Sequence, residues 1–133
     1  MKRVGIVVAM ALMSVAPARI SAQSTSSFSG AADYQTFCAS CHGAAGKGDG
    51  VIARTLKRRP ADLTQLAKKN DGAFPDDKVF KTINGGASSH GGSADMPEWS
   101  SVFAKSSESE GPALVKARID ALVQYLSSIQ DKR

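Results

Sequence analysis

The chain has 133 residues, with 17 Lys and Arg against 12 Asp and Glu, a formal net charge of +5 and a sequence pI near 9.4. That length admits one small domain. The charge makes no case for nucleic-acid binding, because residues 1–22 hold Lys2, Arg3 and Arg19 and no acid, and 17 less these three leaves 14 basic against 12 acidic side chains, a net of +2.

Lys2 and Arg3 precede an apolar run, Val4 to Val15, and Ile20-Ser21-Ala22 offers a small-residue cleavage site before Gln23. This is the layout of a secretory signal peptide, with Ala16-Pro17-Ala18 as a second cleavage site. An uncleaved membrane anchor is the alternative. The run falls short of the roughly 20 residues a spanning helix needs, and Pro17 interrupts its end. The expectation is therefore cleavage of residues 1–22, export to the periplasm and no transmembrane segment after cleavage. Residues 23–29 form a polar, serine-rich leader, and the folded domain covers 30–130.

A first helix is expected from about Ala31 to Ala39, with Tyr34, Phe37 and Cys38 along one side. It runs into Cys38-Ala39-Ser40-Cys41-His42, which holds the only two cysteines and one of the two histidines. C-x-x-C-H is the attachment pattern of c-type haem. Each thiol adds across one haem vinyl group, the two-residue spacer sets the reach between the vinyls, and the adjacent imidazole ligates iron. Two other readings compete. A redox C-x-x-C pair needs no histidine there and belongs near a βαβ pattern that the chain lacks. A zinc site has to recruit His42 and the distant His90, outside the usual H-x(3–5)-H spacing. A domain of this size buries a marginal core by itself, which a buried haem would complete, and its two propionates would bring the net charge near zero.

Gly43 to Gly50 carries four glycines and reads as loop. Val51 to Leu56 is expected to form one or two helical turns, and Leu63 and Leu66, following Asp62, another short helix. Pro75-Asp76-Asp77 marks a helix start, proline at its first position and acids at the positive end of its dipole. Val79, Phe80 and Ile83 are its buried stripe, and Asn84-Gly85-Gly86 stops it. Lys105 to Glu110 reads as a surface loop. After Gly111-Pro112, apolar residues at 115, 119, 122, 126 and 129 define one face of a last helix, with Lys116, Arg118, Gln124 and Gln130 projecting elsewhere. The fold class is all-α, with about four or five helices around one haem.

The chain resembles the class I c-type cytochromes over nearly all of residues 28–130. The resemblance rests on Cys38 to Gly43, Gly48-Asp49-Gly50, Arg59 to Thr64, Met96-Pro97 after a glycine-rich loop, and Leu122 to Leu126 in the last helix. It implies an all-α domain wrapped round one haem, with Gly30 and Tyr34 meeting Leu122 and Tyr125 where the terminal helices cross. It also implies that a methionine followed by proline is the second axial ligand. Methionines 1, 10 and 13 leave with the leader, so Met96 is that candidate, and His90 is the other. A lone methionine is ordinarily core filler. His90 sits between Ser88-Ser89 and Gly91-Gly92, the setting of a solvated loop histidine, and bis-histidine ligation remains the competing arrangement. The resemblance further implies that the Pro60 carbonyl accepts a hydrogen bond from the His42 ring, since metal-bound histidines need such a partner. A turn proline before a helix is the plainer account of Pro60.

An iron with both axial positions filled can only change oxidation state, so the expected function is single-electron transfer between larger redox proteins. The iron and haem c are the expected cofactors. Two alternatives stand beside it: a cytochrome subunit fixed in a dehydrogenase or oxidase complex, and a five-coordinate haem that binds gas or reacts with peroxide. Arg54, Lys57, Arg58, Arg59, Lys68 and Lys69 form the densest basic region, either a solvated face or a docking surface for an acidic partner.

Overall fold

The computed structural model describes residues 28–85, 96–106 and 111–131. Residues 1–27, with the expected signal peptide and most of the polar segment after it, His90 with its glycine-rich loop, and residues 107–110 lie outside them. Among the described residues there are five α-helices and no strand, and the domain is all-α.

Ser29 caps the first helix, its Oγ accepting the Ala32 N–H at 3.2 Å. Helix α1 (Gly30–Asp33) passes through a π-helical segment, Tyr34–Cys38, into α2 (Ala39–His42). The continuous helix thus starts one residue before the expected Ala31 and ends three after Ala39. The wider turn has a local cause. Thr36 Oγ1 donates to the Ala32 carbonyl at 2.9 Å, competing with the backbone ladder at the point where it loosens.

Val51 to Leu56 forms turns but no regular helix. Ala53 N–H bonds to Gly50 O at 2.9 Å and Thr55 N–H to Ile52 O at 3.0 Å, while the Gly50 and Ile52 N–H groups reach back to Cys41 O and Ser40 O, both at 3.1 Å, and hold the segment against its neighbour. Leu63–Gln65 and Lys68–Asn70 are short 3₁₀ turns, the first capped by Asp62, whose Oδ1 accepts from Thr64 N at 2.9 Å. Helix α3 (Asp76–Asn84) begins one residue after Pro75, which occupies the cap position, and ends at Gly85. Val79 and Ile83 are buried and Phe80 is partly so, as their spacing requires.

Helix α4 (Trp99–Ser106) was not anticipated, although Trp99 and Phe103 already stand four apart. Lys105 belongs to this helix and not to the expected loop. Phe103 is fully buried and meets Phe37 and Trp99 at ring distances of 5.4 and 5.7 Å. Helix α5 (Pro112–Ser128) has Pro112 at its start and buries Val115, Ile119, Leu122 and Leu126; Ile129 packs against the same core just past its end.

Helices α1 and α5 cross in close contact. A Cβ on Gly30 would stand 2.0 Å from Ala121 O and 3.0 Å from Tyr125 Cβ, so only glycine allows this approach. Tyr34 is fully buried and its ring lies 5.1 Å from that of Tyr125. Gly30 therefore meets the Ala121 backbone and Tyr125, while Leu122 joins the core that contains Tyr34.

Two of the polar residues expected to project away from the apolar stripe, Arg118 on α5 and Gln130 just past its end, are tied to other segments. Arg118 turns inward to Asp33. Gln130 donates to Leu63 O and Leu126 O and accepts from Ala67 N, tying the chain's end to the 63–67 segment.

Candidate functional site

Cys38 closes the π-helical segment, and Cys41 and His42 lie on the short α2 that follows. The loop after them folds straight back. Gly48 donates to His42 O at 2.8 Å and has φ of +73°, and a Cβ there would stand 2.4 Å from Pro60 O. Glycine at 48 is thus needed both for the left-handed backbone and for the approach of residues 60–61.

That approach brings a carbonyl to the histidine. His42 Nδ1 lies 3.0 Å from the carbonyl oxygen of Ala61, one residue beyond the Pro60 carbonyl that was expected. The correction has a steric reason, because Pro60 O is turned towards Gly48. A carbonyl can only accept, so in the neutral ring Nδ1 carries the proton and Nε2 carries the lone pair, the tautomer a metal ligand requires.

Cys38, Cys41, His42, Pro60 and Met96 all line one cavity of about 420 Å³. This lies within the range of sites that enclose a whole cofactor, roughly 300–1,000 Å³. Its walls are mainly apolar: Phe37, Leu56, Leu63, Leu66, Val79, Ile83, Trp99 and Leu126. Arg58, Arg59, Lys69 and Lys78 also line it, so three of the six cations in the basic region belong to the cavity, whereas Arg54, Lys57 and Lys68 are simply exposed. Met96 directly precedes the Pro97-Glu98 turn into α4 and is partly buried against the core.

The two thiols are free and partly buried. Burial, the Asp33 carboxylate and Cys41 push the Cys38 thiol up to about 12. Redox-active C-x-x-C pairs have the opposite property, an acidic thiol that is ionised near neutral pH. Among the described residues no three His, Cys, Asp or Glu side chains gather as metal ligands, which leaves the zinc reading without a donor set there.

A family model for cytochrome c matches residues 29–130. The chain belongs to the cytochrome c family. No match was found among curated proteins or among solved structures. Membership brings haem c with its iron as cofactor and haem-based electron transfer as the general function. The residues present fit that group: two free thiols at the attachment spacing, an adjacent histidine in the ligating tautomer, and an apolar cavity that all three line. No helix among the described residues is long and apolar enough to cross a membrane.

Sequence reasoning missed the aromatic wall behind this site. Phe37 and Trp99 line the cavity and meet at 5.7 Å, and Arg118 stands 5.2 Å from the Phe37 centroid. The spacing of Trp99 and Phe103 was the available signal; nothing local pointed to Arg118.

Proposed function

We propose that the protein is an exported single-electron carrier in which Cys38 and Cys41 hold one haem c and His42 and Met96 ligate its iron. The observation that supports this reading is the presence of both thiols, the imidazole and the thioether on one mainly apolar cavity. A haem iron held by both residues would supply one reversible change of oxidation state and leave no position for a substrate.

The chain's own residues do the rest. Ala61 fixes the His42 ring through Nδ1 and raises the basicity of Nε2. Met96 offers a soft sulfur, which favours the ferrous state over a second imidazole. The aromatic wall of Phe37 and Trp99 keeps water from one side of the cavity. The leader, residues 1–22, directs the chain to the periplasm, where the electron passes between redox partner proteins.

The test is an optical titration of protein purified from an exporting host. A reversible one-electron transition of a low-spin haem, with no carbon monoxide adduct in the reduced form, is the expected result. A high-spin reduced form that binds carbon monoxide readily would replace this reading with the five-coordinate one.

A further inference from the structure

We propose that Gly85, Glu98 and Ser100 form a clamp that holds Met96 in place, and that this clamp sets how strongly the site excludes external nitrogen ligands. The proposal rests on the Met96 ligation proposed above and names what maintains it.

The two ligand positions are held in unequal ways. His42 adjoins Cys41, one of the two attachment thiols, whereas nothing covalent would tie Met96 to the haem. A thioether is also a soft, neutral ligand and favours ferric iron less than an imidazole does. An external imidazole therefore competes with Met96 as far as the chain leaves the sulfur free to move away. Firm placement of the sulfur raises its effective concentration and shuts the competitor out.

Helix α3 ends beside the segment that carries Met96. Ser100 Oγ donates to the Asn84 carbonyl, one of the last carbonyls of α3, which lack a partner within their own helix. Gly85, next in the chain, has φ of +98°, and a Cβ there would collide with Glu98 Cγ and stand 2.7 Å from its Cδ. A left-handed glycine is an ordinary helix end; here it also makes room for Glu98. Ser101 Oγ donates to Glu98 Oε2 at 3.1 Å, and the Glu98 carbonyl accepts the Val102 N–H at 3.2 Å.

Each half of the clamp stands on the core. Ile83, just before Asn84, is buried, and Trp99, just before Ser100, meets Phe37 and Phe103 at ring distances of 5.7 Å in both cases. The contact thus joins positions 84–85 to 98–100 across residues 86–95 of the sequence, and only the rigid Pro97 separates Glu98 from Met96. Met96 and Trp99 line the same cavity, so a displacement of Met96 is resisted at this contact.

Optical titration of the ferric holoprotein with imidazole reads the clamp directly, because the imidazole nitrogen takes the position that the sulfur vacates, with no electron exchanged. Ser100→Ala removes one hydrogen bond and should tighten imidazole binding about fivefold. Gly85→Ala adds left-handed strain and pushes Glu98 aside, and should tighten it about tenfold or more. Ser100→Thr keeps the hydroxyl and should stay within about twofold of wild type. Gly30→Ala weakens a different contact, that of α1 with α5, and should also stay within about twofold although its urea midpoint falls.

Wild-type affinity in both Ser100→Ala and Gly85→Ala would overturn the proposal. So would a tightening by Gly30→Ala as large as that by Gly85→Ala, which would make the effect one of global stability, or equal tightening by Ser100→Ala and Ser100→Thr. Met96→Ala separates the clamp from the ligation it serves. Binding at least about 100-fold tighter in Met96→Ala, beside clamp variants that behave like wild type, defeats the clamp alone. Binding no tighter in Met96→Ala than in wild type shows that Met96 is not the ligand displaced, and defeats that part of the proposed function together with the clamp.

Discussion

Asp33 and Arg118 form a two-pronged ion pair, with Nε to Oδ2 at 2.8 Å and a terminal guanidinium nitrogen to Oδ1 at 2.9 Å, across 85 residues of sequence. Both side chains are nearly buried, at 13% and 14% exposure, and the guanidinium lies 4.4 Å from the Phe103 centroid and 5.2 Å from that of Phe37. The pair therefore joins the helix that bears the attachment segment to the last helix, and it backs the aromatic wall of the cavity. Arg118→Ala leaves the Asp33 carboxylate buried and unpaired, which should cost the holoprotein about 2–4 kcal/mol in urea unfolding. Lys at 118 keeps the charge but not the fork and should recover only part. A loss below about 0.5 kcal/mol would mean that the pair behaves as an ordinary surface contact.

Gly30 should tolerate no side chain. Gly30→Ala forces α1 off α5, because the new methyl would sit 2.0 Å from Ala121 O, and the expected loss is about 1–3 kcal/mol. Gly111 is the matched control: no atom stands within 4 Å of a Cβ there, and Gly111→Ala should stay within about 1 kcal/mol of wild type. Thermal unfolding of the two variants side by side checks the contrast.

Much of this architecture is legible in the sequence, for identifiable reasons. The attachment pentapeptide is short and contiguous, and α3 and α5 announce themselves through apolar spacing, because one face of each packs on the core. Arg118 was placed off the apolar stripe but given no partner, because Asp33 is remote in sequence and helical spacing says nothing about which polar side chain turns inward. The carbonyl facing His42 belongs to Ala61 and not Pro60 because one peptide's rotation decides which oxygen points at the ring, and contact with Gly48 settles that rotation. The segment from Val51 to Leu56 keeps two local turns, but its Ile52 N–H bonds to the attachment segment, a tertiary contact that stops the turns from continuing as a helix.

Gly48→Ala tests the link from that loop to the iron. The added methyl would press on Pro60 O and on the Ala61 carbonyl, at 2.4 and 3.3 Å, and loosen the bond to His42 Nδ1. A less basic imidazole stabilises ferric iron less, so the midpoint potential should rise while the low-spin spectrum persists. An unchanged potential would show that the Ala61 carbonyl does not tune the ligand.

In the haem-free chain, Cys38 should be a sluggish thiol. With Cys41→Ser leaving Cys38 alone, alkylation at pH 8 should run at least about 100-fold slower in the folded protein than in urea. The linkage follows from the same shift. The unfolded thiol ionises near 9.0 while the folded one holds its proton to about 12, so stability is intact below 9 and falls as pH rises through that window. Stability that is flat from pH 8.5 to 11 (or equal labelling rates) would contradict the buried placement of Cys38.

Met96→Ala separates the two axial arrangements without touching the attachment thiols. If Met96 ligates, the ferric absorption that depends on sulfur ligation should vanish, the potential should fall and carbon monoxide should bind. His90→Ala should leave all three unchanged. The reverse pattern would establish a bis-histidine site.

The most direct test of the whole account is the intact mass of the exported protein, measured unfolded in acid so that only covalent attachments survive. The predicted mass is that of a chain beginning at Gln23 (or its cyclised form) plus one haem, with no alkylatable thiol left at Cys38 or Cys41. A bare chain carrying two free cysteines, or a disulfide between them, would contradict it.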